Sequence, residues 1–239
     1  GYAEADPTFD VEGVDAAHKL TLMSSIAFGV PVQFSKAFIQ GISELTATDI
    51  TYAEGLGYRI KLLGITKRTS KGIELRVHPC LVPSKRLIAN VEGAMNAVMV
   101  CGDAVGTTLH YGKGAGSFPT ASAVLSDISA LRYDYKYEYK KLYYHQPNEL
   151  TNDYYLKVYL SFDDWNYIPK DKFEWIEEWH AESDRKYLVG VLHATELKEN
   201  NWWRENGTSL ILSPEPIIED VEVRKLKKKS LELAGLNFN

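Results

Sequence analysis

Five carboxylates and one ammonium crowd the opening of this 239-residue chain: Glu4, Asp6, Asp10, Glu12, Asp15 and Lys19. Asp15 and Lys19 are four residues apart, so on a helix they share a face. Glu4, Asp6 and Asp10 lie ahead of that helix, in a stretch with Gly1, Pro7 and Gly13 that reads as a loop able to fold over the same face. Such a cluster can recognise a ligand ammonium with carboxylates while the lysine moves a proton. Neighbouring carboxylates keep a lysine charged, whereas burial pushes it neutral. The charged form suits donation to a carbonyl oxygen; the reverse reaction needs a lysine that accepts from an alcohol. An acidic surface loop with an ordinary helical ion pair accounts for the same spacing.

Other reactive side chains are less promising. His18 adjoins Lys19, but one helical step of about 100° turns it elsewhere. His78 sits in the strand-ending Val77-His78-Pro79 and reads as structural, so no histidine is given a catalytic role. Cys80 and Cys101 make neither a disulfide framework nor a metal site, and Cys80 reads as a small buried residue. No metal ligand is expected.

The bulk properties narrow the class. A formal charge of −5, with 45% hydrophobic and 25% charged residues, is ordinary globular composition and argues against a general nucleic-acid binder. The basic run Lys225, Lys227, Lys228 and Lys229 reads as a solvated helix face. No apolar run approaches membrane-spanning length and no signal peptide opens the chain, which makes the cytoplasm the expected compartment. Asn206-Gly207-Thr208 is then a turn. The start at Gly1-Tyr2, without methionine, suggests a piece of a longer protein.

The elements that must position the opening cluster follow from periodicity. Leu20, Met23, Ile26 and Ala27 recur at helical spacing, predicting a helix from about Asp15 to Phe28 that Gly29 and Pro31 end. Thr46 and Asp49 form a capping-box-like start for a short helix through Glu54. Strands are expected over 58–66, 73–78, 97–101 and 105–111, and a helix over 119–131. The alternation Tyr133, Tyr135, Tyr137, Tyr139 predicts an edge or interface strand rather than a base-stacking platform. Beyond a polar stretch at 147–153, the pattern predicts a strand at 154–162, a helix at 169–181, strands at 187–194 and 208–212, and a last helix at 218–233. A domain boundary near residue 150 separates 1–150 from 151–239. The five tryptophans all fall in the second part, where packing is the expected role.

The run from Gly1 to Lys19 resembles the signature of homoserine dehydrogenases: Gly1-Tyr2-Ala3-Glu4, Asp6-Pro7, Asp10-Val11-Glu12-Gly13-Val14-Asp15, then Lys19. The likeness continues through Arg76-Val77-His78-Pro79, Gly102-Asp103-Ala104-Val105-Gly106, Tyr111-Gly112-Lys113-Gly114-Ala115-Gly116 and Pro119-Thr120-Ala121, to about residue 130. Cys80 stands where the family pattern leads one to expect threonine.

The resemblance implies the following. The activity is reversible, NADP- or NAD-dependent interconversion of L-homoserine and L-aspartate 4-semialdehyde, in the biosynthesis of threonine, methionine and isoleucine. Lys19 is the proton donor and acceptor. Glu4, Asp10 and Asp15 hold the substrate, and backbone at Gly1, Gly114 and Gly116 faces the nicotinamide. The nucleotide is bound mainly by a preceding domain absent here, so the chain alone is expected to be inactive. The resemblance also implies a homodimer. The expected fold is α+β, a mixed or antiparallel sheet with helices on one face, followed by a ferredoxin-like, ACT-like domain. That second domain has Phe162-Asp163-Asp164-Trp165 without the glycine of an effector-binding turn. The alternative function is a non-catalytic amino-acid-binding regulatory protein without a dinucleotide domain.

Overall fold

The computed structural model describes residues 6–31, 33–136, 148–180, 186–205 and 207–217. A single turn, α1 (Thr8–Val11), leads into α2 (Val14–Phe28). Gly13 joins them at φ 74°, a left-handed conformation that glycine adopts without penalty. Gly29, at φ 69°, ends α2 as expected. After the short strand β1 (Phe38–Ile39) comes α3 (Ala47–Gly55), whose capping box is complete: the Thr46 hydroxyl accepts from Asp49 N, and the Asp49 carboxylate accepts from Thr46 N.

Two long strands follow, β2 (Tyr58–Thr69) and β3 (Gly72–Pro83), paired antiparallel over their full length. Period-two side-chain alternation gives β3 two different faces. Leu75 and Val77 pack with Ala17 and Leu20 of α2. The opposite face carries Glu74, Arg76, His78 and Cys80, all with no exposure. An antiparallel hairpin, β4 (Met95–Gly102) and β5 (Gly106–Lys113), then runs into α4 (Ser117–Arg132). None of the α4 side chains is buried.

The C-terminal region contains β6 (Tyr155–Phe162), β7 (Phe173–His180), β8 (Lys186–His193), α5 (Ala194–Glu199) and β9 (Ser209–Ile217). Its strand order β9-β6-β8-β7, antiparallel throughout, is that of a ferredoxin-like sheet. These strands continue the sheet of the first half: β9 lies parallel to β3 through Cys80 and Leu212, giving seven strands in all. The result is the expected α+β fold with a mixed sheet. Helices α2 and α3 cover one face, and α5 with the turn Trp202–Arg204 covers the other over β6 to β9.

The predicted helix over 169–181 is corrected. Two 3-10 turns, Trp165–Tyr167 and Lys170–Lys172, precede the strand β7. Phe173 and Trp175 are buried with Glu174 between them, a strand period that bulges against β8 partly obscure. The edge strand expected from the tyrosine alternation is also not found in its described part: Tyr133 caps the end of α4, and it and Tyr135 are exposed. Tyr137 and Tyr139, and the predicted helix over 218–233, lie outside the described residues. Trp175 and Trp203 are buried, as packing residues should be, whereas Trp179 is largely exposed.

The polar row on β3 is tightly specified. Arg76 Nε donates to Glu74 Oε2 at 3.2 Å, Nη2 to Pro214 O at 2.7 Å, and Nη1 to Ser213 O at 3.4 Å. Arg76 Nη1 also meets His78 Nε2. Arginine cannot accept, so Nε2 is the acceptor and the proton sits on Nδ1, which donates to Pro79 O at 3.1 Å. Burial, reinforced by the Arg76 charge, holds the His78 pKa well below its ordinary 6.5. Burial raises the Glu74 carboxyl against the opposing pull of Arg76, and it lifts the Cys80 thiol to about 12.

Two outcomes follow. Arg76→Ala leaves a buried carboxylate and two carbonyls without their cation and should destabilise the fold by about 3–5 kcal/mol in urea titration; a change under about 1 kcal/mol would contradict this account of the joint. His78 is neutral when folded, so acid protonates the unfolded chain first and stability falls as pH drops below 6.5. Glu74 acts in the opposite sense. The melting temperature of His78→Gln should therefore fall less than that of the wild type between about pH 7 and pH 5.

Candidate functional site

The opening cluster is built on α1 and the first turns of α2. Asp15 and Lys19 share a helical face, and Lys19 Nζ donates to Asp15 Oδ2 at 2.5 Å. Their side chains are 39% and 62% exposed, which leaves the pair open to a ligand from solvent. The buried side of the same helix, Ala17 and Leu20, is packed against β3. Packing therefore fixes which way Asp15 and Lys19 point.

Ahead of them, the Asp6 carboxylate accepts from Thr8 N at 3.1 Å and from Thr8 Oγ1 at 2.5 Å, bonds that hold its pKa down. Asp10 is exposed on α1. Phe9, His18 and Phe34 form a stack: the His18 ring lies 4.1 Å from Phe34 and 6.0 Å from Phe9, with planes within 6°. His18 is thus engaged in bringing α1 alongside α2. Glu12, grouped by sequence with the ligand-facing carboxylates, instead accepts from the Ser43 hydroxyl. Glu4 and Gly1 lie outside the described residues.

Gly114 and Gly116 sit at the root of α4. Gly116 adopts φ 110° and precedes the first turn, while a side chain at Gly114 would collide with Asn96. Both belong to the arm made by the β4–β5 hairpin and α4. The principal packing of α2 is with α1, β2 and β3 rather than with this arm. The structure thus brings Asp15, Lys19 and α1 together and leaves the two glycines on a separate element. The glycines follow an antiparallel hairpin rather than the first strand of a βαβ unit, so they are not the turn of a Rossmann-type dinucleotide cradle.

Elsewhere, a groove of about 330 Å³ runs between α3 and the sheet, past Tyr52, Leu56, Lys157, Tyr159 and Glu178. It shares no lining residue with α1 or α2. Among the described residues no group of histidine, cysteine or carboxylate side chains has metal-binding arrangement.

Three residues near the cluster escaped the sequence reading: Gln40, Gly41 and Ser43. Gln40 and Gly41 follow two apolar residues and carry no catalytic signal. Only the fold shows that this segment meets the acidic turn.

The profile of the homoserine dehydrogenase family matches residues 1–129, more than half the chain. This chain belongs to the homoserine dehydrogenase family. Over 128 residues it is 70% identical to homoserine dehydrogenase of Pseudomonas aeruginosa, covering 54% of this chain and 30% of that protein. The enzyme of Neisseria gonorrhoeae is 66% identical over 128 residues, again 54% of this chain and 29% of the relative. The matched segment therefore spans under a third of each of these relatives. Fold similarity extends further than sequence similarity. A homoserine dehydrogenase structure from Thiobacillus denitrificans superposes with a TM-score of 0.67 at 40% identity, over 90% of this chain and 55% of that one. One from S. aureus gives 0.62 at 30% identity, over 88% of this chain and 55% of its own.

Gly13 sets the bend between α1 and α2, and a Cβ there would lie 3.1 Å from Val77 Cγ1. Gly13→Ala should destabilise the chain by about 1–2 kcal/mol in urea titration, the left-handed penalty for a residue with a Cβ. An unchanged midpoint would mean that the bend is not enforced at this position.

Proposed function

We propose that this chain is the substrate-binding and proton-transferring part of a homoserine dehydrogenase, acting in the interconversion of L-homoserine and L-aspartate 4-semialdehyde. The observation that carries the reading is the Asp15–Lys19 pair, presented to solvent on the face of α2 beside the acidic turn α1. Asp10, Asp15 and Glu4 are the proposed ligands for the substrate, with carboxylates taking its ammonium. Lys19 is the proposed proton carrier: its ammonium gives a proton to the aldehyde oxygen in reduction, and its amine takes one from the alcohol in oxidation. A positioned acid–base group of this kind contributes roughly 10²–10⁴-fold to rate.

A nicotinamide dinucleotide, NADP or NAD, is the proposed cofactor. Since Gly114 and Gly116 are not the turn of a Rossmann-type cradle, its binding is assigned mainly to sequence that the longer relatives have in addition, and no hydride step is assigned to residues of this chain. The contribution of Gly1, Gly114 and Gly116 is limited to backbone that can approach the nicotinamide end. A homodimer is part of the proposal. It is supported by the arm, where the large apolar side chains Val100, Phe118, Leu125 and Leu131 are each exposed, a composition that suits an interface. Among the described residues no helix is long and apolar enough to cross a membrane, and the cytoplasm is the proposed compartment. No nucleic-acid partner is proposed.

Calorimetry on the chain should detect L-homoserine and little or no NADP binding; micromolar NADP affinity would overturn the assignment of the cofactor site. In an enzyme carrying the complete relatives' length, Lys19→Ala should lower kcat by about 10²-fold or more with circular dichroism unchanged. A wild-type rate would remove Lys19 from the mechanism.

A further inference from the structure

The segment 36–43 touches both ends of the molecule. On one side it is held by the C-terminal module. Phe38 is buried within the core of that module, its ring 5.7 Å from the Trp203 ring. Lys198 Nζ donates to Lys36 O at 2.6 Å, Arg204 Nη2 to Ile39 O at 2.8 Å, and Gln40 Nε2 to Leu210 O at 2.6 Å. Arg204 is itself seated over the Trp203 ring at 4.5 Å.

On the other side the same segment holds the acidic turn. Ile42 N donates to Val11 O at 2.9 Å, and the Ser43 hydroxyl donates to the Glu12 carboxylate. Gly41 lies so close that a Cβ would come within 2.6 Å of Glu12 Cα and Val11 O. Those are backbone atoms, so the turn cannot yield without moving as a whole. Between the two sides, Gln40 N donates to Val77 O of β3 at 2.9 Å, which fixes the segment on the sheet.

We infer that residues 36–43 form a strap through which the C-terminal module sets the position of the acidic turn, with Gln40, Gly41, Ser43, Lys198 and Arg204 as positioning residues for substrate binding. None of these needs to touch the substrate. α1 is four residues long and buries none of its side chains. A turn that short is not stable alone. Its order must come from outside, and the strap contacts supply it together with the stack of Phe9 on His18 of α2. The module then contributes to the site through ordering, with no ligand of its own required.

The variant Lys198→Ala/Arg204→Ala tests this, because both side chains are exposed and neither belongs to the buried core. Amide exchange read by mass spectrometry should accelerate over residues 8–13 by roughly five- to tenfold, the effect of about one hydrogen bond. Peptides from α4 and from β6 and β8 should be unchanged, and Lys198→Arg/Arg204→Lys, which restores the donors, should return the slow rate. Unchanged exchange over 8–13, or acceleration shared equally by β6 and β8, overturns the strap. A second readout rests on the proposed function: the Kd for L-homoserine should rise by a similar factor in the double variant and in Ser43→Ala, and Ser43→Thr should recover it. If the wild type does not bind L-homoserine, the functional reading fails, while the exchange result still decides the strap.

Discussion

A buried guanidinium holds the two halves of this sheet together. Strands β3 and β9 pair through Cys80 and Leu212, a ladder too short to fix the register of one strand on the other by itself. Arg76 extends that contact by donating to the carbonyls of Ser213 and Pro214, while Glu74 neutralises it from the same face of β3. Taking two charges out of water is unfavourable, so the arrangement is tolerated only because the guanidinium finds several acceptors and a ring, that of Tyr154, 5.9 Å away. Such a pair is a specificity device more than a source of net stability, since an apolar pair would not select the register of β9.

The position of the site depends on that strand. β3 has one apolar face and one polar face, and α2 lies on the apolar one. Once Ala17 and Leu20 are seated there, helical geometry sends Asp15 and Lys19 outward as a pair. Gly13 turns α1 back beside them, and the His18 ring stacks between Phe9 and Phe34. Charge placement at this site is thus decided by apolar packing one layer below it. The strap makes the same point from the other direction, because Phe38 is buried in the C-terminal core while its neighbours four and five residues on grip the acidic turn.

The arm contrasts with this. Its hairpin and α4 are regular elements, yet α4 buries nothing within the described residues. Local propensity and pairing suffice to give it shape. Among the described residues its apolar side chains are left exposed.

The chain's own residue pattern is enough for the elements whose signals are local. Leu20 and Ala27 spacing with Gly29 gave α2, the Thr46–Asp49 box gave the start of α3, and the alternating runs around Ser70-Lys71 gave the β2–β3 hairpin. It also placed Asp15 and Lys19 on one helical face, since four residues make just over one turn. Long-range packing made 173–180 a strand: Phe173 and Trp175 look equally apolar on either period, and pairing with β8 selects one. Only it decided that Glu12 binds Ser43, that His18 is a stacking ring, and that the C-terminal strands join β3. The Glu12–Ser43 contact and the joining of the strands bring together residues 31 to 138 positions apart, and no periodicity within a short window records such a meeting.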